Sequence, residues 1–192
     1  TTRVDELTHK NFISGSSSRP LKKGYPLNAF WSYDFTGLDH ETGYPTFRGA
    51  TVNMESNDRT IDPTTFLSYS GQSEPFFTGG FNPRLRWKDL QVSANFALIL
   101  GSTKRLPNPY SSFSNGKMPS PIDNLSKELT KRWKQPGDEA YTDIPSLYTA
   151  VTDELNMYMP DGLFDSRYNM WAYSTARLVS GSFLRCTQLS VS

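Results

Sequence analysis

From Leu90 to Leu100 the apolar residues Leu90, Val92, Ala94, Phe96, Leu98 and Leu100 take every second position, with Gln91, Ser93 and Asn95 between them. A period of two predicts a β-strand. Its length meets the roughly 9–11 residues a strand needs to cross a bilayer, against about 5–6 for an ordinary globular strand. Upstream, Phe77, Phe81, Leu85 and Trp87 alternate with Thr78, Asn82, Arg84 and Arg86, and Lys88-Asp89 separates the two runs, which predicts a hairpin with a two-residue turn. Pro83 removes a backbone donor inside the first of these strands, so a bulge is expected there. One polar and one apolar face suit a soluble antiparallel sheet covered on one side. They equally suit a membrane barrel with a polar lumen and interfacial aromatic residues.

Residues 25–35 alternate in the same way, Leu27, Ala29, Trp31, Tyr33 and Phe35 against Asn28, Ser32 and Asp34, and predict a second strand of crossing length. Residues 37–45 are dense in turn formers. After Leu100 the prolines at 107, 109, 119, 121, 136 and 145 break any long strand, so residues 102–169 are expected to form one long loop. Within it Leu125, Leu129 and Trp133 recur at helical spacing behind Asp123 or Asn124 and predict a short helix, with residues 146–157 a weaker helical stretch. Phe183 to Cys186 resumes an extended run, Thr187-Gln188 occupies the place that Lys88-Asp89 held, and Leu189 begins another strand. Short turns at one rim and long loops at the other describe an outer-membrane barrel, and this sorting favours the barrel over a soluble, surface-exposed glycan-binding β-module.

Composition narrows the chemistry. The net charge of +1 over 192 residues, with scattered lysines and arginines, argues against a nucleic-acid surface. No apolar run of about 18 residues is present, which excludes a spanning helix but not a spanning barrel. A mean hydropathy of −0.56 is compatible with a barrel whose lumen and loops are polar, and the 14% aromatic content fits interfacial girdles. The single cysteine, Cys186, allows no internal disulfide and has no base nearby, so it reads as a packed small residue. His9 and His40 share no metal-ligand spacing, and the adjacent acids Asp138-Glu139 and Asp153-Glu154 read as solvated loop charge. Asp39 and Glu41 could hold calcium through oxygen ligands, but a plain turn in which Asp39 bonds its own backbone is the simpler arrangement. No catalytic residue, metal or cofactor is expected. Arg84, Arg86, Gln91, Ser93 and Asn95 would line a lumen, bonding to a plug or to one another.

Four stretches resemble the SusC/RagA family of TonB-dependent outer-membrane transporters. The first is Gly24-Tyr25-Pro26-Leu27-Asn28-Ala29-Phe30-Trp31 followed by Gly37-Leu38-Asp39-His40-Glu41-Thr42-Gly43-Tyr44-Pro45. The second runs from Phe77-Thr78-Gly79-Gly80-Phe81 through Trp87-Lys88-Asp89-Leu90 and Asn95-Phe96 to Leu100-Gly101. The third is Arg132-Trp133-Lys134-Gln135-Pro136-Gly137-Asp138 with Thr142-Asp143-Ile144-Pro145, and the fourth is Gly181-Ser182-Phe183-Leu184-Arg185. The resemblance implies an all-β fold, antiparallel strands forming part of a plugged barrel of about 22 strands. It implies location in the outer membrane of a Gram-negative bacterium and import of oligosaccharides or, less strongly, peptides. The implied partners are outer-membrane lipid, a SusD-like surface lipoprotein and, through segments outside this chain, TonB. On this reading the chain is a piece of a transporter, without plug, N-terminal extension or final strands, and residues 102–169 are extracellular. Arg132, Trp133, Pro136, Gly137, Asp138, Asp143 and Pro145 are then candidates for contact with the lipoprotein or for packing beneath it.

Overall fold

The structure is a computed structural model that describes residues 22–53, 58, 61, 63–110, 124–147, 155–160, 162 and 164–192. Expectations placed on His9, Asp123, Asp153 and Glu154 lie outside these residues, as does most of the helical stretch proposed for residues 146–157. In chain order the elements are β1 (Ala29–Tyr33), β2 (Phe35–Leu38), β3 (Pro45–Phe47), β4 (Leu67–Gln72), β5 (Phe77–Phe81), β6 (Arg84–Trp87) and β7 (Leu90–Leu100). They continue with β8 (Thr103–Arg105), β9 (Asn156–Tyr158), β10 (Phe164–Ser166), α1 (Arg167–Ala172), β11 (Leu178–Ser180) and β12 (Phe183–Val191). Every strand pair is antiparallel.

Strand β7 is the axis of a four-stranded wall, flanked by β12 on one side and by β5 and β6 on the other. The expected hairpin is present, with Trp87 opposite Leu90 and Lys88 at φ 55 in the turn. Pro83 separates β5 from β6 but causes no bulge. Phe81 faces Phe96 and Arg84 faces Ser93, so the register passes through the proline unchanged. The proline carbonyl still accepts from the Ala94 amide at 3.1 Å, and only the donor that proline lacks is lost.

The bulge lies on the opposite edge. Cys186 faces Phe96 and Gln188 faces Asn95, leaving Thr187 as one extra residue in β12. Thr187-Gln188 is therefore not a turn: β12 is one continuous nine-residue strand, and the expected second hairpin is absent. The Thr187 hydroxyl donates to the Asn95 carbonyl at 3.2 Å, which gives the extra residue a partner within the ladder. Above the wall the same two chains pair again as β8 and β11, so the ladder extends from Gln91 and Ser192 to Arg105 and Leu178. Both edges of the sheet are open, so among the described residues no barrel closes.

Residues 25–35 do not form one long strand. The chain pairs with β4 as far as Tyr33 and with β3 from Phe35, changing partner at Asp34, whose carboxylate meets Arg48 at 2.9 Å. Opposite β1, the pair Ser70-Gly71 bulges, and Gly71 at φ 102 supplies the left-handed backbone this needs.

The stretch read as one long loop folds with β1–β4 into a lobe with its own core. Phe47, Tyr110, Leu129, Leu155, Met157, Met159, Tyr168, Met170 and Trp171 form that core. The expected helix near Leu129 is a single 3-10 turn, Lys127–Lys131, capped by the Ser126 hydroxyl rather than by Asn124. It buries Leu129 and leaves Leu125 exposed. The one α-helix among the described residues, α1, follows directly on β10, where the Ser166 hydroxyl accepts from the Asn169 amide.

Candidate functional site

Cross-strand partners share a face, so the register sorts the wall's side chains. Arg84 with Ser93, Arg86 with Gln91, and Asn95 with Gln188 lie on one face, where Asn95 Nδ2 donates to Gln188 Oε1 at 2.9 Å. The other face carries Leu85, Trp87, Leu90, Val92, Ala94, Phe96 and Leu98, joined by Leu184, Cys186, Leu189 and Val191. Phe81 and Phe96 stack there at 4.8 Å. This apolar face is uncovered. Leu85 is 68% exposed, Trp87 71%, Leu189 67% and Val191 64%, whereas a soluble sandwich would bury these positions beneath a second sheet. All five candidate lumen residues occupy the polar face, Gln91, Ser93 and Asn95 on the central strand β7 and Arg84 and Arg86 on the edge strand β6.

Residues 132–145 form a loop braced from inside. Asp138 Oδ2 accepts from the amides of Lys134 and Gln135, while the Asp138 carbonyl accepts from those of Tyr141 and Thr142. Glu139 Oε2 accepts from Trp133 Nε1 at 3.2 Å and from the Gly137 amide at 2.8 Å, and Glu139 Oε1 meets His40 Nδ1 at 2.5 Å. These two acids are structural braces rather than solvated charge. Trp133 and Pro145 are buried, Pro136, Gly137 and Asp143 are exposed, and Arg132 is half-buried. The Pro145 carbonyl accepts from the Tyr110 hydroxyl at 2.5 Å and the Asp143 carbonyl from Trp171 Nε1 at 2.8 Å, which fastens the loop to the core.

The loop also seats on the turn at residues 37–45, so the first and third of the family-like stretches meet in space. Ser146 donates through its hydroxyl to the Thr42 carbonyl, 104 positions away, and through its amide to the Gly43 carbonyl. A Cβ at Gly43 would overlap the Trp133 indole, and φ 68 there also disfavours any other residue. Asp39 Oδ1 accepts from the Glu41 and Thr42 amides and from the Thr42 hydroxyl, the self-bonded turn arrangement. These bonds hold its carboxyl below the usual range.

His40 carried no signal in the sequence because its partner lies 99 positions away. The Glu139 carboxylate, by accepting a hydrogen bond and by its charge, raises the imidazole above its ordinary 6.5, and the same hydrogen bond draws Glu139 down to about 2. The raised imidazole favours the fold most below 6.5, and that contribution fades as pH climbs through its raised value. The lowered carboxyl contributes above 4.5 and loses that contribution as pH falls towards 2. The contact is therefore firmest from about 4.5 to somewhat beyond 6.5. A histidine titration followed by NMR should place His40 above 6.5, and Glu139→Gln should return it towards that value.

A second brace was also invisible in the sequence. Arg177, 2% exposed, pairs with Glu128, lies 4.5 Å over the Trp171 ring and donates to the Pro107 carbonyl at 2.6 Å. Arg105, on β8, is held between the rings of Phe30 and Tyr173 at 5.4 and 5.2 Å and donates to the Ser32 hydroxyl at 2.9 Å. Between them these two arginines join the lobe to the top of the wall.

No protein-family model matches the chain, and no curated protein matches it. Among solved structures that match, one described as the structure of the RagAB peptide importer in the "open-open" state aligns with 98% of this chain at 20% identity and a TM-score of 0.55. This chain spans 18% of that importer chain. At this identity the likeness concerns the fold alone.

Proposed function

We propose that the chain is a wall segment and outer lobe of a TonB-dependent outer-membrane nutrient importer of the SusC/RagA type. The observation that carries this reading is the wall itself: an 11-residue strand paired on both sides, one polar face, and an apolar face left bare. A lipid-facing barrel wall requires these features together. In that setting the free sheet edges are paired by strands outside this chain, because unpaired backbone is not tolerated in hydrocarbon.

The turn at Lys88-Asp89 then lies at the periplasmic rim and the lobe lies outside the cell. Arg84, Arg86, Gln91, Ser93 and Asn95 face the lumen, and the exposed rim of residues 132–145 faces a SusD-like lipoprotein. The cargo is an oligosaccharide or a peptide; peptide gains support from the description of the RagAB neighbour. Energy reaches the importer through TonB.

Cys186 offers a direct test because it lies on the apolar face opposite Phe96. In a full-length variant with Cys186 as its only thiol, a water-soluble maleimide should fail to label intact outer membranes. A lipid-soluble maleimide should label them, and urea should open the site to both reagents. Recovery of the protein in the soluble fraction without detergent, with immediate labelling by the water-soluble reagent, would reject the membrane reading in favour of a soluble glycan-binding module.

A further inference from the structure

Residues 127–143 contain four acids and four bases, but the fold spends them unequally. Glu128 pairs with Arg177, Asp138 caps two backbone amides, and Glu139 is shared by His40, Trp133 and Gly137. Three of the four carboxylates are thus engaged as braces. The cations Lys131, Arg132 and Lys134 make no ion pair among the described residues. Arg132 donates one guanidinium N–H to the Leu129 carbonyl at 3.1 Å, which orients its fork. A segment of balanced charge therefore folds to a surface on which cations outnumber the acids left beside them, Asp138 and the exposed Asp143.

These three cations line one open pocket of about 370 Å³ together with Thr130, Gln135, Asp138, Tyr141 and Thr142, and Asp138, the one carboxylate in the lining, is engaged through Oδ2 by the Lys134 and Gln135 amides. Tyr141 is 92% exposed, the most open of the large hydrophobic side chains described. Its ring has no packing role that accounts for its place, and it offers a flat, partly polar wall beside the charges. A guanidinium fork with two ammonium groups matches a carboxylate through charge-assisted hydrogen bonds. The pocket's volume falls within the size of small-ligand sites, about 300–1,000 Å³.

We infer that this pocket is a binding site for a carboxylate-bearing small ligand, either an acidic oligosaccharide or the free C-terminus of a short peptide. Lys131, Arg132 and Lys134 hold the carboxylate, and Tyr141 lies against the body of the ligand. The site belongs to the lobe and does not depend on where the wall resides, so it can fail while the importer reading stands, and the reverse.

The test is equilibrium binding to the detergent-purified full-length protein with matched probes: trigalacturonate against neutral galactotriose, and Ala-Ala-Ala against its C-terminal amide. At least one charged probe should bind ten-fold or more tightly than its neutral match, and its affinity should fall as salt rises. K131Q/K134Q should remove at least ten-fold of that affinity, with the far-UV spectrum unchanged because both side chains are exposed. Preference for trigalacturonate identifies an acidic-sugar site; preference for the free peptide identifies a C-terminus site. Equal binding of charged and neutral probes, absence of binding by both charged probes, or unchanged affinity in K131Q/K134Q would each overturn the inference.

Discussion

Trp171→Ala is expected to open the lobe while leaving the wall paired. Trp171 is 1% exposed, sits edge-on to Tyr110 at 5.6 Å, carries the Arg177 guanidinium on its ring and donates to the Asp143 carbonyl. Truncating a buried tryptophan costs about 3–5 kcal/mol, a large share of the roughly 5–15 kcal/mol that holds an ordinary domain together. Two further losses add to it. The Asp143 carbonyl loses its partner, and Arg177 loses the ring beneath it while remaining buried beside Glu128. The backbone ladder of β5, β6, β7 and β12 touches none of these groups. Limited proteolysis of the full-length protein should therefore produce new cuts within residues 106–147, with none in β7 or β12. Trp171→Phe, which keeps most of the volume and loses the N–H, should fall between wild type and alanine. An unchanged cleavage pattern in Trp171→Ala would show that the lobe does not rest on this side chain.

What was legible in the sequence depended on how far each pattern ran. Strand β7 was plain because eleven residues alternate without a break, and the hairpin because a two-residue turn separates matching runs. Thr187 shows the limit of the same signal. A bulge inserts one residue and flips the phase of alternation, so outward positions change from Leu184 and Cys186 to Leu189 and Val191. A two-residue turn also breaks the phase, and sequence alone does not separate them. Pro83 failed in the opposite sense: a missing donor suggested a distortion, but the register absorbed it at the cost of one hydrogen bond. In the lobe, the three-residue strands β3, β9 and β10 and the six-residue helix are too short to show any period. Its core is assembled from Phe47, Tyr110, Leu129, Met157 and Trp171, residues that no local window contains together. The His40–Glu139 and Arg177–Glu128 contacts were hidden for the same reason, since both are long-range pairings. The polar face of the wall was readable from five alternating residues, whereas the cationic pocket was not, because only the fold decides which acids are engaged as braces.

The bare apolar face also supplies a substitution whose outcome depends on the solvent around the wall. Leu189 lies opposite Ala94, the fifth of the 11 residues of β7, and is 67% exposed. Were that face in water, Leu189→Arg would be a surface change worth about 0.5 kcal/mol or less. Facing lipid, the same change places a cation near the bilayer midplane, at a cost of about 2–4 kcal/mol. Gln188→Arg is the matched control. It adds the same charge one residue away on the polar face, where Gln188 now bonds Asn95, and it costs at most that one exposed hydrogen bond. Folded protein recovered from outer membranes should fall sharply for Leu189→Arg and remain near wild type for Gln188→Arg, with the urea midpoint in lipid vesicles following the same order. Equal recovery and equal midpoints for the two variants would mean that water, not hydrocarbon, covers the apolar face. The membrane assignment would then fail, although the fold and the braced lobe would remain as described.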